Sequence, residues 1–174
     1  DANAYDSYLL QAQNWLEGSM AIQNGEQYPW LELAIFNGEY YLSFPPVPSV
    51  LALPWALWGG AVPSNLIAAL YGLAVAGGVY LLFWQSGKTP ETCAFFSLFV
   101  SLGSNTFWLS TSGGVWMLAQ LLALAFCVWG CFFWLAGREL PAFFLLALAV
   151  GCRPFSALLA VVLFLRPVWS AVRQ

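Results

Sequence analysis

The 174-residue chain has no histidine and very little charge. Charged residues make up 7% of it, against roughly 25% in an ordinary soluble domain. The lack of histidine removes the usual zinc hydrolase sets and any Ser-His-Asp arrangement, and no GxxxxGK run is present to cradle a nucleotide. Basic residues are missing altogether from residues 1–46, which carry Asp1, Asp6, Glu17, Glu26, Glu32 and Glu39. The rest of the chain holds Lys88, Arg138, Arg153, Arg166 and Arg173 against Glu91 and Glu139. No charge occurs between Tyr40 and Gly87, or between Thr92 and Gly137.

Hydrophobic residues make up 61% of the chain, too many for so few charges to keep a body of this size in water. The composition therefore predicts a membrane protein with an acidic head and a sparse, basic, apolar body. The chain opens at Asp1 with neither an initiator Met nor a basic region ahead of an apolar run, and it reads as a piece of something longer. Cys93, Cys127, Cys131 and Cys152 all fall in apolar segments. Cys127 and Cys131 share a helix face, where buried thiols are commoner than ligands.

In the head, Tyr8, Leu9, Ala12, Trp15 and Leu16 recur with helical period up to Gly18. They predict an amphipathic helix on the membrane surface, anchored by Trp15. Asn37-Gly38, between Ala34-Ile35-Phe36 and Tyr40-Tyr41-Leu42, resembles a hairpin. After Pro45-Pro46 an apolar stretch over 47–58, stopped by Gly59-Gly60, is too short to span about 30 Å of hydrocarbon and reads as an interfacial helix. Spans are expected at about 64–85, 91–110 and 115–136, followed by a short pair at 140–151 and 155–165. The fold class is then all-α, a polytopic transmembrane bundle (47–174) with an amphipathic juxtamembrane head (1–46) outside the cytoplasm. Lys88, Arg138, Arg166 and Arg173 fall on the inner side.

That topology leaves Arg153 as the exception, on the outer side with the head. It is either an arginine snorkelling at a helix end or a contact for phosphate or carboxylate. Asp6 is either a helix N-cap or a catalytic carboxylate held near the membrane surface, and Asp1 either a solvated terminal residue or a second such carboxylate. Glu39 reads as an exposed turn residue. Gln120, alone in its span, is expected to hydrogen-bond a neighbouring helix. Trp108, Ser110, Thr111 and Trp116 crowd the outer ends of two spans, as an aromatic belt or as a wall for a polyprenyl chain or a sugar.

Taken together, three features resemble the N-terminal part of a GT-C superfamily membrane glycosyltransferase, of the protein mannosyltransferase and aminoarabinose transferase kind. They are the acidic Tyr-rich start leading into Tyr8-Leu9-Leu10-Gln11-Ala12 and Trp15-Leu16-Glu17-Gly18, the stretch Gly38-Glu39-Tyr40-Tyr41 to Phe44-Pro45-Pro46, and the short helices around Arg153-Pro154. The resemblance implies transfer of a sugar from a polyprenyl-phosphate-linked donor to an acceptor hydroxyl, with inversion, at a prokaryotic plasma membrane. The partners are that donor, an acceptor and the bilayer, with no nucleic acid. The family's catalytic aspartate would fall in register on Ala4, which leaves Asp1 and Asp6, on either side, as candidates for the base. Arg153 would offset charge on the lipid phosphate, and Tyr40, Tyr41, Pro45, Pro46, Trp108 and Trp116 would contact substrate. Some members of the superfamily use a divalent cation. The competing classes are a transporter-like bundle with broken helices lining a path and a non-catalytic subunit whose head binds a partner.

Overall fold

The computed structural model describes residues 4–58 and 63–172, with side chains up to residue 165. Asp1, the Gly59-Gly60 stop and Arg173 lie outside the described residues, as does the Arg166 side chain. The chain is mostly helical: α1 (Ser7–Leu16), a hairpin of β1 (Leu33–Phe36) and β2 (Glu39–Leu42), then α2 (Val47–Leu57), α3 (Ser64–Gln85), α4 (Pro90–Leu102), α5 (Thr106–Ser110), α6 (Val115–Leu135), α7 (Glu139–Cys152) and α8 (Ala157–Val172). Two of these helices, α3 and α6 with 22 and 21 residues, are long and apolar enough to cross a membrane.

The hairpin forms where Asn37-Gly38 places it. Both turn residues have positive φ, 52° and 82°, as a two-residue type I′ loop requires. The register pairs Phe36 with Glu39 and Leu33 with Leu42. An isolated bridge from Ile22 to Tyr40 then ties the preceding loop to β2.

α3 and α6 run parallel. Gly113, just before α6, lies against Ser64 at the start of α3, and further along Gly78 meets Val128 and Trp129. The Trp129 indole donates to the Ala74 carbonyl at 3.0 Å. The return between them differs from the expected single helix over 91–110: α4 stops at Leu102 and α5 starts at Thr106. Gly103 caps α4, while the Ser104 hydroxyl turns back to Val100 and receives the Thr106 amide at 3.2 Å. Thirteen residues reach only about 20 Å at 1.5 Å per residue, short of about 30 Å of hydrocarbon. α7 runs back against α6, with Leu146 on Gly130, and α8 continues past the expected 165 to Val172. Gln120 lies on the exposed side of α6 rather than against a neighbour.

α1 also departs from the expected amphipathic helix. It buries Ser7, Tyr8, Gln11, Ala12 and Asn14 and leaves Leu16 exposed, so the inward face is mixed and polar. Those polar groups tolerate burial because most are bonded. Ser49 of α2 donates to Gln11 Oε1 at 2.6 Å, Asn14 Nδ2 donates to the Leu10 carbonyl, and the Gln23 amide donates to Asn14 Oδ1. Trp15, expected as a surface anchor, is half-buried with its indole N–H unpartnered among the described residues.

The Gln11–Ser49 bond clamps α1 to α2. Gln11→Ala strands the Ser49 hydroxyl in the interior and is expected to cost about 1–3 kcal/mol, whereas Gln11→Leu with Ser49→Ala removes both partners and is expected to cost less. Thermal unfolding of the two variants in detergent checks the order.

Candidate functional site

One end of the molecule gathers the starts of α1, α3 and α6 and the end of α7. The Val115 amide donates to the Tyr5 carbonyl at 3.1 Å, and the Gly113 amide to Asn65 Oδ1 at 2.8 Å. Arg153, between α7 and the turn before α8, donates through Nη2 to the Trp116 carbonyl at 2.9 Å. The head and Arg153 therefore share an end, and Lys88 and Arg138 sit past the opposite ends of α3 and α6.

Asp6 is the N-cap of α1, its Oδ1 accepting from the Leu9 amide at 3.1 Å. It also lines a cavity between α1, α2, α3 and α6, with Pro48, Leu51, Trp55, Ile67 and Tyr71 forming apolar walls. Burial among these side chains raises the Asp6 pKa above its ordinary 3.8, opposed by the Leu9 amide and a hydrogen bond from Ser64. A carboxylate so placed is a better base when ionised than an exposed one. The cavity has a volume of ≈ 20 Å³, room for about one water. A second cavity at this end, ≈ 510 Å³, is lined by Tyr5, Ser112, Gly114, Val115, Trp116 and Met117. Its size falls in the range of about 300–1,000 Å³ that small-molecule sites occupy. It therefore suits a ligand better than the cavity at Asp6.

Tyr8 and Arg153 line neither cavity, but Arg153 is bonded to the backbone of Trp116, which walls the larger one. Tyr8 is 1% exposed, and burial raises its pKa while the charge of Arg153 opposes the rise. The Tyr8 hydroxyl and Arg153 Nε are both buried without a hydrogen-bond partner among the described residues. Among the same residues no carboxylate pairs with Arg153.

The other residues expected at the site are spread out. Tyr40 is packing: its ring rests where a Cβ on Gly25 would sit, and its carbonyl accepts from the Ile22 amide. Tyr41 donates to Glu39 Oε2 at 2.6 Å on the exposed face of the hairpin, a bond that raises its pKa. Glu39 is exposed in that turn. Pro45 is half-buried and Pro46 is the N-cap of α2. Neither these prolines nor the two tyrosines line the two cavities at the Asp6 end. Trp116 does line the larger cavity and meets Phe44 edge to face at 6.4 Å. Trp108 is 60% exposed on α5. Ser64 and Tyr8 were not singled out by sequence reasoning. Ser64 reads there only as the first polar residue of an apolar helix, and Tyr8 as part of a hydrophobic stripe.

The four cysteines are free thiols. Among the described residues no three His, Cys, Asp or Glu side chains gather as a metal site. The donor set among the described residues does not fit the divalent cation that the resemblance allows. No known protein family, curated protein or solved structure matches the chain.

Proposed function

We propose that the chain is part of a polytopic membrane glycosyltransferase of the GT-C type. Residues 1–46 form its juxtamembrane head outside the cytoplasm of a prokaryotic cell, and α3 and α6 cross the bilayer in the same direction. The observation that carries the reading is the placement of Asp6, a half-buried carboxylate with a raised pKa, at the same end as Arg153, an arginine that pairs with no carboxylate among the described residues. The larger cavity at that end, walled by Trp116 and by Tyr5 next to Asp6, supplies the room, while Asp6 itself lines the smaller cavity.

In this reading the polyprenyl-phosphate donor and the acceptor meet beside α1. The Asp6 carboxylate takes the proton of the acceptor hydroxyl. The acceptor oxygen attacks the anomeric carbon from the face opposite the phosphate, and the carbon–oxygen bond to phosphate breaks with its electron pair leaving on the lipid phosphate. Inversion follows from the single displacement. Arg153 offsets the charge developing on the departing phosphate, and its Nε, which has no hydrogen-bond partner among the described residues, is the donor for that purpose.

Arg153→Ala, assayed in membranes at matched expression, is expected to lower transfer from the lipid-linked donor by about 30- to 5,000-fold, the equivalent of the 2–5 kcal/mol lost when a buried charged contact is truncated. Arg153→Lys is expected to recover part of the loss as a point charge without the planar fork. Transfer unchanged in Arg153→Ala removes the arginine from the reaction.

A further inference from the structure

The end opposite Asp6 holds a cleft that the transfer reading does not use. α3 and α6 both close there on a glycine in the left-handed region, Gly87 at φ 74° and Gly137 at φ 71°, followed by a cation. The Lys88 amide donates to the Phe83 carbonyl at 3.2 Å and the Arg138 amide to the Phe133 carbonyl at 2.8 Å, the same cap built twice. The cap turns the chain out of each helix just before Lys88 and Arg138. Between the two helix ends lies a cleft of ≈ 330 Å³, walled by Phe83, Trp134, Leu135 and Leu163, with Ser86 and Lys88 at its mouth.

Two helices of 22 and 21 residues are about 33 and 32 Å long, so their ends fall at the edge of a hydrocarbon core of about 30 Å. An apolar slot opening at that level, with an ammonium at its rim, matches a lipid with a chain and an anionic headgroup. The acids at this end do not consume the cations. Glu91 and Glu139 stand in the first turns of α4 and α7, where helix amides face them. Among the described residues no carboxylate pairs with Lys88 or Arg138. The Ser86 hydroxyl is turned back to the Leu82 carbonyl at 2.8 Å, which leaves Lys88 as the headgroup donor at the mouth.

We infer that this cleft binds an anionic phospholipid of the inner leaflet, one acyl chain between α3, α6 and α8 and the phosphate on Lys88. The inference rests on the proposed topology, with α3 and α6 crossing the bilayer and the head outside, and it is independent of any transfer chemistry. Its test is native mass spectrometry of the purified protein in detergent with equal dioleoyl phosphatidylglycerol and phosphatidylcholine.

Retention of phosphatidylglycerol over phosphatidylcholine by about fivefold is expected, from about 1 kcal/mol for each basic residue near an anionic lipid, and Lys88→Gln is expected to reduce the ratio by about the same factor. Lys88 is exposed, so the substitution leaves the fold in place. Leu163→Trp, which fills the cleft, is expected to lower retention of phosphatidylglycerol, and free glycerol phosphate is expected not to displace the lipid. Equal retention of the two lipids, a ratio unmoved by Lys88→Gln, full retention in Leu163→Trp, or displacement by glycerol phosphate alone would each overturn the inference. Failure of the transfer reading leaves these ratios untouched and shows only in the transfer assay.

Discussion

Asp6→Asn is expected to abolish sugar transfer while leaving the head folded. The carboxylate has two duties, and the substitution separates them. As the N-cap of α1, Asp6 accepts the Leu9 amide. Asn caps about as well as Asp. As a base, Asn has nothing to offer, and loss of a positioned general base typically costs about 10²–10⁴-fold in rate. Asp6→Ala removes both duties and is expected to lose about 1 kcal/mol of stability as well.

The pH dependence follows from the raised pKa. Folding favours the protonated form of Asp6, so this stabilising contribution is fully present below the ordinary 3.8 and is lost as pH rises through the folded-state value. Transfer moves the other way, rising on its acid limb through a pKa above 3.8 as the base ionises. Asp6→Asn takes this ionisation away and is expected to be at least as stable as the parent at neutral pH. Transfer rate and thermal unfolding across the acid range check both signs. An active Asp6→Asn protein would show that Asp6 is a cap alone.

Gly113→Val is expected to be the most disruptive single substitution at the site end. A Cβ at Gly113 would stand 2.5 Å from the Ser64 carbonyl carbon and 2.6 Å from its oxygen. The obstacle is backbone, so no flexible side chain can move aside, and α3 and α6 must part where Asn65 holds the Gly113 amide. Overpacking of this kind costs about 1–3 kcal/mol, or about 2–4 °C in Tm for each kcal/mol in a chain of this size. Because Ser64 also bonds Asp6, transfer is expected to fall with it. Gly77→Ala is the control. Nothing lies within 4 Å of a Cβ there, and alanine is favoured over glycine inside a helix. Equal unfolding temperatures for the two variants would contradict the close approach of α3 and α6 at Gly113.

The successes of sequence reading were local. Asn37-Gly38 fixes the hairpin turn because few residue pairs accept two positive φ values in succession. The helices Ser64–Gln85 and Val115–Leu135 were legible because an uninterrupted apolar run needs no partner to be recognised. What escaped depends on distant partners. Periodicity puts Leu9 and Leu16 on one apolar face of α1, expected against the membrane surface, yet the structure buries Gln11 because Ser49, 38 residues away, satisfies it. The break at Gly103-Ser104-Asn105 hides in composition that stays apolar on both sides, and only the Ser104 bonds reveal it.

At the site, Asp6 and Arg153 were visible as charges out of place. Tyr8 and Ser64 were not, because burial and a carboxylate neighbour are properties of the packed chain. Tyr40 drew notice as an aromatic in a motif, and its ring instead fills the space above Gly25.

The most direct test of the proposed chemistry is transfer itself: membranes containing the protein are supplied with a panel of radiolabelled polyprenyl-phosphate sugars, and the released lipid phosphate and the glycosylated product are both measured. Formation of a product of inverted anomeric configuration from at least one donor, with polyprenyl phosphate released in equal amount and both lost in Asp6→Asn, is the expected result. A folded, membrane-inserted protein that transfers no sugar from any donor in the panel would contradict it.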